Sequence, residues 1–265
     1  MDNFIRDIVI WMQVHVTAEM LTVVTFLLCS VAILTLLRFY GAMGLYVYNA
    51  LALVVANIQV LRLTTYEHFS EPVALGTVLF TTTFFVNDLL SEHYGPKAAA
   101  KCVTLGFWVQ ILMVVWMVLT LAHPLVPVLD PNNFALVDAE HSHEAMMQLF
   151  TPSLRLFIAS LIAYWCSQWL DVMIFAKLRQ VTAGRFLWLR QNVSMMVSGF
   201  LDTVIFSVLA WRWFSVSPIP WFELFMTFVI SAQIIRLFLN MAATPLMYFS
   251  YRCVRKPLEL KYHEI

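Results

Sequence analysis

Two short stretches decide how this chain is interpreted: residues 167–175 read SQWLDVMIF, and residues 198–206 read SGFLDTVIF. Each carries one aspartate, Asp171 or Asp202, inside an otherwise apolar run. A helix needs about 20 mainly apolar residues to cross a hydrocarbon core of about 30 Å. An ionisable side chain in that core costs roughly 2.5–3.5 kcal/mol. Each aspartate therefore needs a partner, a water-filled cavity or a function.

The composition is typical of a membrane protein. Of the 265 residues, 61% are hydrophobic and 12% are charged, which lies outside the range of soluble domains. The net charge of zero offers no basic surface to nucleic acid. Four scattered cysteines without a CxxC pair are expected to be reduced. The chain has no phosphate-binding loop and no dinucleotide or hydrolase motif, so we expect no cofactor and no ATP hydrolysis.

The apolar runs predict seven membrane-spanning helices. Three runs, at residues 20–37, 42–61 and 102–122, contain no charged residue. Four more reach the required length only if ionisable residues are accepted inside them. They cover 73–93 with Asp88 and Glu92, 156–176 with Asp171, 193–211 with Asp202, and 224–249 with Arg236. The expected fold is an all-α polytopic membrane helix bundle that forms a single integral membrane domain over residues 1–265.

The lysine and arginine distribution predicts the orientation of this bundle. Eleven of these residues fall on one side of the seven-helix arrangement and four on the other. We therefore expect a cytoplasmic C-terminus and an N-terminus outside. Residues 4–14 are expected to form an amphipathic helix at the membrane surface, and no removable signal peptide is predicted. Residues 123–150 then form an outer loop, and three prolines argue against regular structure throughout it.

Polar residues within the predicted spans recur at helical spacing, so each span presents a polar stripe. On the sixth span, for example, Ser194, Ser198 and Asp202 fall at steps of four. Small residues such as Ser160, Ser194 and Gly199 are expected to serve packing. The candidate binding residues on the stripes are Asn57, Asp88, Glu92, Tyr164, Gln168, Asp171, Ser198, Asp202, Gln233, Arg236 and Asn240.

These residue types suit a planar heterocycle with several N–H and C=O groups. Carboxylates and amides accept paired N–H donors, whereas arginine and glutamine donate to a carbonyl oxygen. Surplus negative charge would also suit a ligand that bears an amine. The alternative is a purely structural network around Arg236. Because three aspartates face one arginine, at least two carboxyl groups lack a fixed cation, and this argues against that alternative.

His141 and His143, among acidic residues of the outer loop, form the one cluster that resembles a metal site. A solvated acidic loop is the expected explanation, and we predict no metal ligand there.

Three stretches of the chain are similar to the motifs of a known transporter family. They read VNDLLSEHYGPKAA at residues 86–99, SQWLDVMIFAKLR at 167–179 and NVSMMVSGFLDTVIF at 192–206. Together they resemble the queuosine precursor transporters, which are related to the vitamin-uptake S-components of ECF transporters. The resemblance runs from about Asn57 to Tyr248. Arg236 stands where this family carries a lysine. The arginine keeps the positive charge but presents a wider, forked guanidinium to a ligand.

This resemblance implies a transporter rather than an enzyme. It implies a six-helix S-component-like core at residues 42–250, with an interfacial segment and one additional transmembrane helix in residues 1–40. The implied activity is uptake of a 7-deazaguanine such as preQ0, preQ1 or queuine across the bacterial inner membrane, for tRNA modification. The implied partners are this small base and the lipid bilayer, without nucleic acid. Homodimerisation, and dependence on an ECF-type energising module, stay open.

Two other functions are also open from the sequence. An intramembrane enzyme or a proton- or ion-coupled channel could use the same acids, and it would require a continuous line of them across the membrane. A substrate-binding S-component would need a separate ATP-driven partner, for which the sequence shows no docking signature.

Overall fold

A computed structural model describes residues 2–67, 69–124, 134–150, 153–215 and 217–254. These residues form a bundle of long helices with a short β-hairpin at one end, which we call the hairpin end. The elements are α1 Asp2–His15, α2 Ala18–Tyr40, α3 Ala42–Gln59, β1 Leu63–Tyr66, β2 Phe69–Ala74, α4 Thr77–His93, α5 Pro96–Ala122, α6 Phe134–Phe150, α7 Ser153–Val181, α8 Leu187–Val208, a π-helical segment Leu209–Trp213, α9 Trp221–Glu223, a second π-helical segment Leu224–Ile230, and α10 Ser231–Cys253.

Six helical segments among the described residues are long and apolar enough to cross a membrane. They are Ala18–Tyr40, Ala42–Gln59, Pro96–Ala122, Arg155–Val181, Leu187–Trp213 and Trp221–Cys253. Each corresponds to one predicted span, and the predicted all-α polytopic bundle is confirmed. The remaining prediction, at residues 73–93, corresponds to α4, which has 17 residues.

Helix α4 lies at the centre of the bundle. Fifteen of its residues are buried, and it contacts α2, α3, α5, α7, α8 and α10. The surrounding helices expose large apolar side chains instead, such as Leu28 of α2 at 66% and Trp116 of α5 at 62%. The protein therefore keeps α4, with its two acids, inside the bundle and presents apolar side chains to lipid, as a hydrocarbon solvent requires.

The chain between α3 and α4 forms a β-hairpin that the hydropathy pattern did not predict. Strands β1 and β2 are antiparallel, with Leu63 opposite Ala74 and Thr64 opposite Val73. The Tyr66 hydroxyl lies 2.9 Å from the Thr22 hydroxyl of α2, which attaches the hairpin to the bundle. The hairpin takes up the first residues of the predicted 73–93 span. Helix α4 consequently begins later, at Thr77.

The segment after α5 contains a helix. Three prolines argued against regular structure throughout residues 123–150, and Phe134–Phe150 forms α6. The three prolines all precede residue 132 and so do not interrupt this helix; residues 125–133 lie outside the described residues. His141 and His143 lie on α6. Within the described ranges, no three His, Cys, Asp or Glu side chains are grouped as metal ligands would be.

Two smaller predictions are confirmed. Residues 4–14 are helical and belong to α1, and the four cysteines are free. The location of this helix at the membrane surface stays a prediction.

The hairpin end contains two π-helical segments where α-helix was predicted. One extends α8 through Leu209–Trp213, and the other, Leu224–Ile230, precedes α10. The Arg212 guanidinium donates to the Ile219 carbonyl at 2.9 Å and attaches the first segment to the chain that leads to the second. Such π-helical turns are frequent near functional sites, and these two border the cavity described below.

Candidate functional site

Helix α8 carries four side chains that each contact a buried ionisable group. These are Arg190, Ser194, Ser198 and Asp202, which contact Glu92, Asp88, Asp171 and Arg236 in that order. The four residues are spaced four apart, so neighbouring ones lie about 6 Å apart along the helix. Their contacts form a polar column through the bundle, which we call the α8 column.

The level of the α8 column nearest the hairpin end is an ion pair. Arg236 Nη2 donates to Asp202 Oδ2 at 2.7 Å, and Arg236 Nη1 donates to the Gly199 carbonyl at 3.0 Å. The other Asp202 oxygen accepts from Ser167 Oγ at 3.0 Å. The Arg236 guanidinium also lies over the Phe84 ring, 5.6 Å from its centroid. Asp202 is therefore neutralised by a fixed cation.

Gly199 makes this ion pair possible. A Cβ at this position would lie 2.9 Å from Arg236 Nη1, closer than side chains tolerate. The absence of a side chain lets the guanidinium reach the backbone of α8. The sequence interpretation assigned Gly199 to packing, and the structure agrees in this specific sense.

Two middle levels of the α8 column hold a pair of aspartates. Asp88 and Asp171 are both 0% exposed. Ser198 Oγ lies 2.8 Å from Asp171 Oδ1, and Ser194 Oγ lies 3.4 Å from Asp88 Oδ1. Each hydroxyl also lies near a backbone carbonyl of α8, that of Ser194 at 2.5 Å from Ser198 Oγ and that of Gln191 at 3.1 Å from Ser194 Oγ, so its one hydrogen has two acceptors to choose from. Because the two serines are one turn apart, the two carboxyl groups are neighbours along the column. In the part of the chain that the structure describes, neither aspartate forms a salt bridge.

The far end of the α8 column is a second ion pair. Arg190 Nη2 donates to Glu92 Oε2 at 2.6 Å, and the Tyr251 hydroxyl donates to Glu92 Oε1. Arg179 Nη1 donates to the carbonyls of Ser91 and Glu92 at 2.9 and 3.1 Å. Three helices, α7, α8 and α10, thus bind the last turn of α4. Glu92 lies here, at the end of the bundle, rather than beside Asp171.

Arg190 was missed as a site residue. It was counted with the basic residues between two spans, yet it is 1% exposed. The signal was present in the sequence, because Arg190 precedes Ser194 by four residues and so extends the stripe that was recognised on this helix.

Gln168 belongs to a separate bridge between α4 and α7. Its Oε1 accepts from Asn87 Nδ2 at 2.6 Å, and its Nε2 donates to Thr83 Oγ1 at 2.8 Å. The amide is fully buried and already hydrogen-bonded at both ends. Gln168 therefore positions α7, and with it Asp171, against the central helix.

Asn57 and Tyr164 lie apart from the aspartate pair. Asn57 accepts from Ser160 Oγ at 2.7 Å and donates to Gln110 Oε1 at 3.1 Å. The Tyr164 hydroxyl donates to the Val103 carbonyl at 3.3 Å and accepts from Asn49 at 3.4 Å. Both side chains hold α3, α5 and α7 together.

The two amides predicted on α10 have different surroundings. Gln233 lies in an apolar groove between α8 and α10, lined by residues such as Val197 and Leu237. Asn240 is 1% exposed and lies one turn from Arg236. One turn beyond it, Thr244 Oγ1 accepts from Asn192 of α8 at 2.9 Å. This places Asn240 at the level of Ser198, beside the aspartate pair.

Several buried polar atoms around the aspartate pair have no hydrogen-bond partner among the described residues. They are Asp88 Oδ2, Asp171 Oδ2, Asn87 Oδ1, Gln191 Oε1, and both polar atoms of the Asn240 amide. Buried polar groups in folded proteins are nearly always hydrogen-bonded. These atoms offer four acceptors from acids and amides, together with an amide group that both donates and accepts. They are therefore the part of the bundle best equipped to receive a polar ligand.

A cavity lies between the Asp202–Arg236 level of the α8 column and the hairpin end. Val73 and Ala74 of β2 line one part of it, and Asp202 and Arg236 line another. For water-sized molecules its volume is about 60 Å³, enough for a few of them. The Asp202–Arg236 ion pair consequently lies between the cavity and the aspartate pair.

Comparison with known proteins places this bundle in a family. Residues 74–250 match a family described as "Putative vitamin uptake transporter". The chain is also 32% identical over 225 residues to a Bacillus subtilis (strain 168) protein named "Probable queuosine precursor transporter". That match covers 84% of this chain and 90% of the relative. No solved structure matches the chain.

The matched region contains all four acids of the α8 column and both of its arginines, Arg190 and Arg236. Tyr251 follows the last matched residue. A membrane bundle with buried acids and unpaired amides is what a carrier of polar solutes requires. This chain therefore belongs to the vitamin uptake transporter family and is a multi-pass membrane transporter rather than an enzyme.

Proposed function

We propose that this protein imports a queuosine precursor of the 7-deazaguanine class across the bacterial inner membrane. One observation carries the proposal: the unpaired atoms of Asp88, Asp171 and Asn240 are buried at the centre of a transporter bundle. A guanine-like edge has a ring N–H and an amino group for carboxylate oxygens, and an oxo group for an amide donor. The named relative is itself a "Probable queuosine precursor transporter".

The proposed base-binding residues are a revised version of the sequence prediction. Asp88, Asp171 and Asn240 are retained as direct contacts, and Asn87 and Gln191 are added because each has a buried unpaired oxygen. Asp202, Arg236 and Ser198 border the binding level and would rearrange to admit the base. Glu92, with Arg190, would close the opposite side.

The proposed organisation is a six-helix core at residues 42–250 preceded by one additional helix, α2. With the orientation predicted from lysine and arginine, the N-terminus and the hairpin end are outside and the C-terminus is cytoplasmic. A base would then enter through the cavity below β2, displace the Asp202–Arg236 contact, and leave past the Glu92–Arg190 pair. Each ion pair would close the bundle on its own side. A base would shift the bundle between the conformation open to the outside and the one open to the cytoplasm only by binding one of them more tightly.

The test is uptake of labelled preQ0, preQ1 and queuine by bacteria that cannot make queuosine and carry this gene as their only import route. We expect at least one base to be taken up and incorporated into tRNA. Failure of all three, with the protein present in the membrane, would overturn the proposal.

Two amide variants on the same helix sharpen this test. Asn240→Leu removes the buried unpaired amide and is expected to reduce uptake at least tenfold, because a ligand hydrogen bond in a buried site is worth about 1.5 kcal/mol or more. Gln233→Met is the matched control, since this amide is also buried without a hydrogen-bond partner among the described residues but faces the apolar groove. Equal loss in both variants would argue against a base site beside Asp171.

Ion conduction without a base is the second candidate, and one observation favours it: Asp202, the aspartate pair and Glu92 form the line of acids that such a protein needs. Arginine blocks both ends of this line. Currents across bilayers that contain the purified protein but no base would establish this function; we expect none.

A further inference from the structure

The Asp88 and Asp171 carboxyl groups are neighbours in the bundle interior and share no cation. Both side chains are 0% exposed, and the serines beside them, Ser194 and Ser198, are one turn apart on α8. Oδ2 of each aspartate has no hydrogen-bond partner among the described residues. Because an ionised carboxylate can only accept hydrogen bonds, two ionised groups here would repel each other, whereas a proton on one of them removes that repulsion.

No arginine or lysine neutralises this pair within the described ranges. Arg236 is bound to Asp202, and Arg190 is bound to Glu92. Two ionised aspartates would add an uncompensated charge of two in the bundle interior, which is strongly unfavourable. Retaining a proton halves that charge.

The helices packed around the pair supply few other titratable groups. Helix α4 brings Glu92 and His93, α8 brings Arg190 and Asp202, α10 brings Arg236, and α7 brings Tyr164 and, at its end, Arg179. Helices α2, α3 and α5 carry their charged residues toward their ends: Glu19, Arg38, Lys97 and Lys101. Their other titratable groups are Cys29, Tyr40, Tyr46, Tyr48 and Cys102. Of these, the buried Tyr48 hydroxyl is bonded to Thr82 at 2.8 Å. Among the acids of the α8 column, the aspartate pair is thus the one without a cation of its own.

The pair also has an acid about one helical turn away on each side. Asp202 follows Ser198 by four residues, about 6 Å along α8, and lines the cavity at the hairpin end. Glu92 follows Asp88 by four residues on α4 and accepts from Tyr251 near the opposite end. When either ion pair opens, water and the freed carboxylate can reach the aspartates from that side only.

We infer that the Asp88–Asp171 pair is a proton-binding site and that base import is coupled to proton entry. The inference rests on the proposed function. The empty pair keeps one proton throughout the cycle. A second proton would bond to the remaining ionised carboxylate from the cavity side while the base binds. After the Glu92–Arg190 pair opens, that second O–H bond breaks, the proton passes to water, the base leaves, and the pair returns to its singly protonated state. One proton and one base cross per cycle, and no other reactant takes part.

The experiment uses the purified full chain in liposomes, with membrane potential clamped at zero, and radiolabelled preQ0, preQ1 and queuine in turn. Counterflow against unlabelled base, without a pH gradient, first establishes which base is carried. An interior one pH unit more alkaline is then imposed. We expect that base to accumulate about tenfold, since one proton per base transfers the tenfold proton ratio. A protonophore should abolish accumulation, and a dye inside should report acidification on adding base.

Counterflow without accumulation or acidification would overturn the inference and leave the proposed function intact. Absence of counterflow with all three bases would overturn the proposed function, and the inference with it. The two failures are therefore distinguishable.

The double variant Asp88→Asn with Asp171→Asn tests the site itself. Neither amide can bind and release a proton, so the steady-state accumulation ratio should fall from about ten to one. This ratio does not depend on how fast the variant works. Asp138→Asn, the same type of substitution on exposed α6, should keep the ratio near ten. Tenfold accumulation by the double variant would place the proton elsewhere, and loss of counterflow in it leaves acidification by the unmodified protein to decide.

Discussion

The four acids of the α8 column are all largely buried, but they form two contrasting pairs. Asp202 and Glu92, toward its ends, each have an arginine within 2.7 Å. Asp88 and Asp171, at its centre, have only serine hydroxyls and each other. Removing an arginine from either outer acid would leave a buried charge unpaired, whereas the inner acids already lack a cation.

This contrast separates two roles that composition alone cannot distinguish. A buried acid with a fixed cation is satisfied in the closed bundle and contributes to holding helices together. A buried acid without one raises the energy of the empty bundle and becomes satisfied by a proton or a ligand. The outer pairs are therefore expected to control stability and closure, and the inner pair to control transport.

The largest expected effect is on stability, from Arg190→Ala. This variant leaves Glu92 without its arginine, and breaking a buried ion pair by removing one partner costs about 3–5 kcal/mol. Thermal unfolding of the detergent-purified protein should show a clearly lowered Tm.

The double variant Arg190→Met with Glu92→Gln is its control. Since no charge is left unpaired, most of the lost stability should return. If Arg190→Ala unfolds at the same temperature as the unmodified protein, the outer and inner acids do not differ as described.

The next effect is on transport, from Asp171→Asn. Asparagine keeps the acceptor for Ser198, and we expect stability within about 1 kcal/mol of the unmodified protein. The initial rate of base uptake by cells should nevertheless fall about 10–100-fold, because a hydrogen bond to a charged group is worth about 1.5–3 kcal/mol. If Asp171→Asn is unstable but its folded fraction transports base at the normal rate, Asp171 serves stability rather than transport.

A moderate loss of stability is expected from Gly199→Ala. The added Cβ would meet Arg236 Nη1 at 2.9 Å, and overpacking of this kind costs about 1–3 kcal/mol. The double variant Gly199→Ala with Arg236→Lys places a lysine, which has no planar guanidinium, beside the new methyl group. In the same unfolding assay its loss of stability should be smaller than the sum of the losses in the two single variants. Strict additivity would show that the alanine methyl does not act through the guanidinium.

The smallest effect is expected from Tyr164→Phe. Its hydroxyl makes only long hydrogen bonds, of 3.3 and 3.4 Å, so about 0.5–1.5 kcal/mol of stability should be lost. The KM for base uptake should not change, because Tyr164 contacts α3 and α5 rather than the aspartate pair. A raised KM would restore this residue to the base site.

Much of the column could be predicted because charge in an apolar helix is conspicuous. The free-energy cost of an ionisable side chain in hydrocarbon was enough to identify Asp88, Asp171, Asp202 and Arg236. Asn240 was identified by its spacing of four from Arg236. The pairing could not be predicted, since spacing along one helix does not say which neighbour it faces. Arg236 could have bonded any of the three aspartates, and only the packing of α8 against α10 selects Asp202.

The sequence was less informative about polar residues that could serve either contacts between helices or ligand binding. Arg190 was missed because basic residues between spans are usually exposed, and this one lies just inside a helix. Tyr164, Gln168 and Asn57 lie on polar stripes as predicted, but their partners are other helices. A polar stripe in a membrane helix shows that something polar faces it, without showing whether that is protein or ligand.

Helix α4 has a consequence for how the protein is made. Its buried surface contains threonines, Asn87 and two acids, so an isolated α4 gains little by leaving water for lipid. Its partners on α7, α8 and α10 lie more than 60 residues further along the chain. We therefore expect α4 to settle in the membrane only after those helices have been synthesised, which makes its topology a late event of assembly and a point where quality-control proteases would distinguish finished from unfinished chains.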